Sequence, residues 1–170
     1  FISECIDSLK KQTYKNLEII FFDDFSKDNS INIIKNFKEV KLIQNLEKTE
    51  TGSFNQIKAF EDAQKISEGE IIMLLDSDDY FHETKVEEVV NFFDNNQDAK
   101  IVFDYPIIIN KKKTTYVKKK IKLVNNTWPY IHPTSCISIK NEVFNEILKT
   151  TSIKLYPDTW LDFRLCIYSK

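Results

Sequence analysis

Two short apolar segments that end abruptly in aspartates constrain this chain more than any other feature. One lies within residues 18–22 and stops at Asp23 and Asp24, and the other covers residues 71–75 and stops at DSDD, residues 76–79. Continuous apolar runs of this length are typical of strands buried on both faces of a sheet. Segments with the apolar spacing of helices lie between and after them. This alternation predicts an α/β fold with a mostly parallel central sheet flanked by helices.

The other elements follow from the same periodicities. Predicted helices lie near residues 2–9, 31–37, 57–63, 86–93, 141–148 and 158–168, and further strands near residues 40–43 and 101–103. Gly69 is expected to end the helix that precedes the second acidic segment. Apolar residues on both sides of a lysine-rich turn predict a hairpin within residues 106–117. No repeat or linker divides the chain, so we expect a single domain over residues 1–170.

Composition excludes several classes of protein. The net charge is -2 and the isoelectric point is about 5.8, whereas a nucleic-acid binder usually carries a basic excess. The two glycines, Gly52 and Gly69, cannot form a glycine-rich phosphate-binding loop. Cys5, Cys136 and Cys166 lack the spacing of a zinc site or disulfide framework, so we expect buried thiols in a reducing compartment. Without a signal peptide or membrane-spanning segment in this sequence, the expected location is cytoplasmic.

The position of the aspartates indicates a binding site. Parallel sheets bind ligands beyond the carboxyl ends of their strands. Asp76, Asp78 and Asp79 repel one another unless some are protonated or a cation is present. Mg²⁺ and Mn²⁺ prefer such oxygen ligands and often share them with substrate phosphates. Alternatively, Asp78 and Asp79 cap the next helix, and Asp23 and Asp24 form an ordinary turn.

Three named types of acidic site compete for these residues. An EF-hand fails, because Tyr80 and Phe81 occupy positions that need an oxygen ligand and a glycine. A phosphatase of the haloacid dehalogenase type also places D-x-D after a buried strand, but it needs a small hydroxyl residue where Tyr80 stands. A response-regulator receiver would use Asp23 and Asp24 as its acidic pair and Asp76 as its phosphate acceptor, and this interpretation stays open.

Four ordered segments resemble the family 2 glycosyltransferases, which have the GT-A fold. They are FISECIDSLKKQTY (1–14), LEII (17–20), DDFSKDNS (23–30) and GEIIMLLDSDD (69–79). The resemblance covers residues 1–104 and is looser from residue 134 onward. It implies a Rossmann-like nucleotide-diphospho-sugar transferase domain with a nucleotide-sugar-binding half, residues 1–104, and an acceptor-side half, residues 105–170. The family's first strand has no counterpart before Phe1, so we expect the sequence to be truncated at its N-terminus.

The resemblance also implies roles for particular residues on the donor side. Asp24, with Asp23 beside it, matches the acidic residue that binds the nucleotide base. Asp76 matches the residue of the D-x-D segment that contacts the ribose, and Asp78 and Asp79 match those that bind Mg²⁺ or Mn²⁺.

Residues expected at the acceptor lie near the end of the chain. The family's catalytic base is expected in PDTWLD (157–162), at Asp158, with Asp162 in reserve. His132 and Trp160 are expected on the acceptor side, although solvated or packing roles remain open for them.

Together these features predict a metal-dependent, inverting glycosyltransferase that moves a sugar from a UDP-linked donor to a carbohydrate or lipid-linked glycan acceptor in bacterial surface-glycan synthesis. The departing nucleoside diphosphate accumulates negative charge. Because the sequence contains a single arginine, Arg164, a divalent cation is the natural source of the positive charge that balances it. Lysines 111–113 and 118–120 are either solvated hairpin edges or a peripheral contact with the anionic inner face of a membrane. The alternatives are a metal-dependent phosphatase of the haloacid dehalogenase type and a non-catalytic nucleotide-sugar-binding module.

Overall fold

The computed structural model describes residues 1–47, 52–110, 113–116 and 133–150, and every structural statement below concerns these residues. Their helices are α1 (Ile2–Lys10), α2 (Ser30–Ile34), α3 (Gly52–Ile66), α4 (Lys85–Asn95) and α5 (Asn141–Thr150). Their strands are β1 (Ile19–Asp23), β2 (Val40–Gln44), β3 (Ile71–Met73), β4 (Ile101–Phe103), β5 (Ile107–Asn110), β6 (Lys113–Tyr116) and β7 (Ile137–Lys140). A short 3-10 helix, Thr134–Cys136, precedes β7. The helix predicted near residues 158–168 lies outside the described residues.

The first two strands form a parallel pair, as the alternating pattern predicts. Ile19 lies opposite Val40, and Asp23 lies opposite Gln44. The intervening helix α2 makes the crossover that parallel strands require. The carboxyl end of β1 is therefore Asp23, the first residue of the first acidic cluster.

A second sheet is built around a strand that the sequence analysis does not predict. Strand β7 lies between β3 and β4 and runs antiparallel to both. β3 and β4 consequently run in the same direction, as expected for an α/β fold, while β7 adds antiparallel pairing to it. The α/β class is confirmed, and the antiparallel strand is an addition to the predicted sheet.

The main core lies between this sheet and helices α3 and α5. Phe60 of α3 and Phe144 of α5 meet edge to face, with ring centroids 5.9 Å apart. The buried members of the cluster come from α3, β7, α5 and the residue after β3: Ile57, Leu74, Ile137, Ile139, Val143, Phe144, Ile147 and Leu148. Their removal from water supplies the main force that holds these elements together.

Helix α1 is fixed to the chain segment in front of α4 by a buried glutamine. Gln12 is fully buried; its Nε2 donates to the carbonyl oxygens of Ser8 and His82, at 3.1 and 2.7 Å, and its Oε1 accepts the Val86 N–H at 3.0 Å. The Thr13 N–H also donates to the Glu83 carbonyl oxygen, at 2.8 Å. Because these bonds join α1 to residues 82–86, they hold one side of the second acidic cluster in place.

Two further local predictions have opposite outcomes. The hairpin is confirmed, because Ile107 of β5 lies opposite Tyr116 of β6 in an antiparallel pair. The prediction that Gly69 ends the third helix is wrong, because α3 ends at Ile66 and Gly69 does not have a positive φ. Ser67 closes that end instead, and its N–H and its hydroxyl both donate to the Gln64 carbonyl oxygen, at 3.2 and 2.8 Å.

Candidate functional site

The second acidic cluster forms a tight turn beyond β3, which we call the acidic loop, residues 76–79. The Leu74 N–H donates to the Ile137 carbonyl oxygen at 3.1 Å, so contact with β7 continues past the end of β3. The Asp79 N–H then donates to the Asp76 carbonyl oxygen at 3.0 Å and closes the turn. Asp78 and Asp79 are exposed and Asp76 is half-buried. The carboxylates therefore lie at the carboxyl end of β3, where the sequence predicts a site.

The capping interpretation of these aspartates is wrong. Helix α4 begins at Lys85, and the residue that precedes it is Thr84. A helix cap has to lie directly before the first helical residue to reach its free N–H groups. Asp78 and Asp79 lie too early in the chain for that role, so their position needs another explanation.

A serine that the sequence analysis does not identify holds the acidic loop. The Ser135 hydroxyl donates to Oδ2 of Asp79, at 2.7 Å, and its oxygen accepts the Asp76 N–H, at 3.0 Å. Ser135 lies in the 3-10 helix before β7. Nothing local in the sequence indicates this contact, because it depends on the pairing of β7 with β3.

Negative charge accumulates in and around the acidic loop. Burial, followed by repulsion from Asp79 and Asp78, raises the pKa of Asp76 above its ordinary value. Burial and the same carboxylates raise the pKa of the Cys5 thiol to about 11, and Cys5 Sγ lies 3.9 Å from the Asp76 carbonyl oxygen. A cation bound near the loop would relieve this repulsion.

The free cysteines have the predicted packing role where they are described. Cys5 and Cys136 are buried, and burial raises the pKa of both thiols. Because the thiolate is the reactive form, raised pKa values make such thiols inert. Cys166 lies outside the described residues.

A buried lysine stands beside this region at the start of α4. Lys85 forms an ion pair with Asp104, which follows β4, and its Nζ lies 5.4 Å from the centre of the Phe81 ring. Burial lowers the pKa of Lys85 to about 8. This pair fixes the start of α4 against the end of β4, at the same edge of the sheet as the acidic loop.

The first acidic cluster forms a turn at the end of β1. The Asp23 carboxylate is buried and accepts the Ser26 N–H at 3.1 Å, so it shapes the turn. Asp24 is half-buried, and its Oδ1 accepts a hydrogen bond from Asn45 Nδ2 at 3.2 Å. Phe25 has a φ of 61°, a conformation that costs a residue other than glycine roughly 1–2 kcal/mol. Of the two aspartates, Asp24 is the more accessible to a ligand.

The structure describes only part of the predicted site. Asp23 and Asp24 lie at the end of β1, and Asp76, Asp78 and Asp79 share one turn beyond β3. His132, Asp158, Trp160 and Asp162 lie outside the described residues.

Within the described residues, no group of three or more His, Cys, Asp or Glu residues is arranged to hold a metal ion. The exposed pair Asp78 and Asp79 nevertheless fits another kind of site for Mg²⁺ or Mn²⁺. Mg²⁺ is commonly held by one or two carboxylates, and substrate phosphates and water complete its ligands. Among the described residues, none of the helices has the length and apolar character that a membrane span needs.

Comparison with known families identifies the class of protein to which this α/β chain belongs. The family model described as glycosyl transferase family 2 matches residues 1–161. The chain belongs to this family, as the ordered motifs predict.

Two curated relatives act on bacterial glycans and polymers. The chain is 37% identical over 103 residues to the UDP-Glc:alpha-D-GlcNAc-diphosphoundecaprenol beta-1,3-glucosyltransferase WfaP of Escherichia coli, a match that covers 59% of this chain and 38% of WfaP. It is 38% identical over 99 residues to a poly(ribitol-phosphate) beta-glucosyltransferase of Bacillus spizizenii, covering 56% of this chain and 16% of that protein. The matched part of the chain thus corresponds to well under half the length of either relative.

A solved structure supports the fold independently. The crystal structure of S. aureus TarS 1-349 in complex with UDP matches with a TM-score of 0.71 at 20% identity, covering 96% of this chain and 50% of that one. At this identity the likeness concerns the fold alone. It confirms the predicted GT-A fold class.

Proposed function

We propose that this chain is the transferase domain of a metal-dependent, inverting glycosyltransferase that moves a sugar from a UDP-linked donor to a carbohydrate or lipid-linked glycan acceptor in bacterial surface-glycan synthesis. The observation that carries the proposal is the acidic loop at the carboxyl end of β3, in a chain whose family match extends over residues 1–161. Burial, followed by repulsion from Asp79 and Asp78, raises the pKa of Asp76, so the negative charge of its ionised form is poorly stabilised. A divalent cation that arrives with a diphosphate would balance that charge.

The relatives support the choice of donor and acceptor. The name of WfaP specifies UDP-Glc as donor and a diphosphoundecaprenol-linked sugar as acceptor, and the second relative acts on poly(ribitol-phosphate). The matched TarS structure contains UDP. A UDP-linked donor is therefore the first to test.

Each donor-site residue takes the role that the family resemblance implies for it. Asp24 is proposed to bind the base, with Asp23 shaping the turn beside it. Asp76 is proposed to contact the ribose, and Asp78 and Asp79 to hold Mg²⁺ or Mn²⁺. When bound, such a cation supplies positive charge against the departing diphosphate.

The acceptor side of the proposal depends on family resemblance. Asp158 is proposed to remove the proton from the acceptor hydroxyl, which would invert the configuration of the sugar in a single displacement, with Asp162 as the reserve base. His132 and Trp160 are proposed to contact the acceptor. The proposed division of one domain, residues 1–104 for the donor and 105–170 for the acceptor, follows from these roles.

Metal-dependent UDP binding tests the donor site. We expect Mn²⁺ to tighten UDP binding to the wild-type protein, and Asp78→Asn to weaken binding in Mn²⁺ by roughly tenfold or more, as measured by calorimetry with and without EDTA. Asp98→Asn is the matched control, because Asp98 is an exposed carboxylate that precedes β4 and so lies at the opposite edge of the sheet. A wild-type affinity for UDP that does not respond to Mn²⁺ would contradict the metal assignment.

Separating binding from transfer tests the base. In the full-length enzyme, we expect Asp158→Asn to keep UDP affinity and to lower the transfer rate by about 10²–10⁴-fold. Full activity in this variant would remove Asp158 as the base. Tight UDP binding by the wild-type enzyme without transfer to any acceptor would identify a non-catalytic binding module, whereas phosphate release from simple esters would favour the phosphatase.

A further inference from the structure

One hydroxyl group joins both ends of the acidic loop to the 3-10 helix before β7. The Ser135 hydroxyl donates to Oδ2 of Asp79 at 2.7 Å, and the Asp76 N–H donates to the same Ser135 oxygen at 3.0 Å. The loop also closes on itself, because the Asp79 N–H donates to the Asp76 carbonyl oxygen at 3.0 Å. Ser135 therefore contacts the first and last residues of the turn.

Ser135 is itself held by rigid structure. The next residue, Cys136, is buried, and its N–H donates to the Pro133 carbonyl oxygen at 2.9 Å. The Cys136 carbonyl oxygen accepts the Asp104 N–H at 3.0 Å, and the Ile137 carbonyl oxygen accepts the Leu74 N–H at 3.1 Å. A residue anchored in this way can impose its geometry on a neighbouring loop rather than follow it.

The contact opposes the tendency of the loop to open. Three carboxylates that repel one another would favour conformations in which they are farther apart. A hydrogen bond from a hydroxyl to a carboxylate is charge-assisted and stronger than one between neutral groups. The Ser135–Asp79 hydrogen bond thus keeps the Asp79 carboxylate in the loop against repulsion from the carboxylates of Asp76 and Asp78.

We propose that Ser135 is a positioning residue that fixes the acidic loop in its binding conformation before the nucleoside diphosphate and its divalent cation arrive. This inference depends on the proposed function, because it assumes that the loop receives those ligands. A loop that is already ordered binds more tightly, since no conformational freedom is lost on binding.

The test compares four variants by two measurements. Calorimetry gives UDP affinity with Mn²⁺ and with EDTA, and hydrogen exchange of the Asp76 amide reports on the loop in the metal-free protein. We expect Ser135→Ala and Ser135→Val to weaken UDP binding in Mn²⁺ by roughly tenfold, to weaken it less in EDTA, where only the proposed Asp76 contact with the ribose is affected, and to accelerate exchange at Asp76. Ser135→Thr keeps the hydroxyl and should preserve both the UDP affinity and the exchange rate at Asp76. Because Thr and Val have nearly the same size, comparing Ser135→Thr with Ser135→Val separates the effect of hydrogen bonding from that of packing.

Ser138→Ala is the matched control. Ser138 lies on β7 opposite Met73, the last residue of β3, but it is fully buried and its hydroxyl has no hydrogen-bond partner among the described residues. Removing that hydroxyl should change neither UDP affinity nor exchange at Asp76.

The possible failures are distinguishable. Wild-type binding of UDP in Mn²⁺, together with unchanged binding by Ser135→Ala, overturns the positioning role and leaves the proposed function intact, even if exchange at Asp76 accelerates. Absence of UDP binding by the wild-type protein overturns the proposed function and the inference that depends on it.

Discussion

Asp76 shows at the scale of one residue how the acidic loop lowers the stability of the metal-free protein. Its side chain is half-buried, and two exposed carboxylates, Asp78 and Asp79, follow in the same turn. Burial and repulsion from these neighbours raise its pKa. An ionised Asp76 therefore destabilises the folded, metal-free protein relative to the unfolded chain, in which the same carboxylate is hydrated.

The pH dependence of stability tests this account. Between the ordinary pKa of 3.8 and the raised folded-state value, the folded protein binds more protons than the unfolded chain, so the free energy of unfolding decreases as pH rises through that window. We expect metal-free Asp76→Asn to be more stable than the wild-type protein at pH 7 in urea denaturation, and this advantage to shrink as pH falls toward 3.8. Asp98→Asn is the control and should show the same dependence of stability on pH as the wild-type protein. If Asp76→Asn also shows that same dependence, burial and repulsion at Asp76 do not shift its pKa.

The sequence predicts the aspartates but not their partner. Asp23 and Asp76 directly follow the apolar runs that end at residues 22 and 75, so local patterns are enough to predict their position near the end of a strand. Ser135 lies 59 residues from Asp76, and the contact between them arises only when β7 pairs with β3. Local periodicity contains no information about such a contact.

At the scale of an element, β7 is the strand that organises the second sheet. Ile139 is fully buried and lies opposite both Ile72 of β3 and Ile101 of β4. Its four residues, ISIK, form too short an apolar pattern to predict a central strand. The apolar runs of residues 19–22 and 71–75, which include parts of β1 and β3, are recognisable because each is followed by an acidic segment. The position of β7, in contrast, is determined by tertiary packing.

Shortening a buried side chain of β7 should lower the stability of the protein. We expect Ile139→Ala to lower the free energy of unfolding by about 2–5 kcal/mol, because it leaves a cavity among α3, α5 and the sheet. Ile109→Ala is the matched control, since Ile109 of β5 is 56% exposed and its truncation should change stability by less than about 0.5 kcal/mol. Equal effects in urea denaturation would contradict the central role of β7.

At the scale of the whole molecule, the sequence predicts the α/β class and the family, and it predicts that each acidic cluster lies at or beyond the end of a strand. The order β3-β7-β4 and the antiparallel direction of the middle strand depend on contacts between distant segments. The hairpin formed by β5 and β6 is predicted from its turn residues, and Ile107, Ile108 and Ile109 on β5 are exposed. In the sequence these isoleucines are followed closely by the lysines at 111–113.

We therefore propose that lysines 111–113 and 118–120 contact the anionic face of a membrane. Each lysine near such a surface contributes about 1 kcal/mol of attraction, so replacement of residues 111–113 by Glu should abolish co-sedimentation with phosphatidylglycerol vesicles. The same replacement at the exposed residues Lys11, Lys35 and Lys38 is the control for total charge. Unchanged vesicle binding by the 111–113 variant would reject the contact.

We propose that the two acidic clusters form one donor site, and a crystal structure with UDP and Mn²⁺ is the decisive test. We expect an anomalous scattering peak for Mn²⁺ at the Asp78 carboxylate, with the diphosphate bound to the ion and the uracil beside Asp24. A Mn²⁺ peak remote from the acidic loop, or UDP bound away from Asp24, would contradict it.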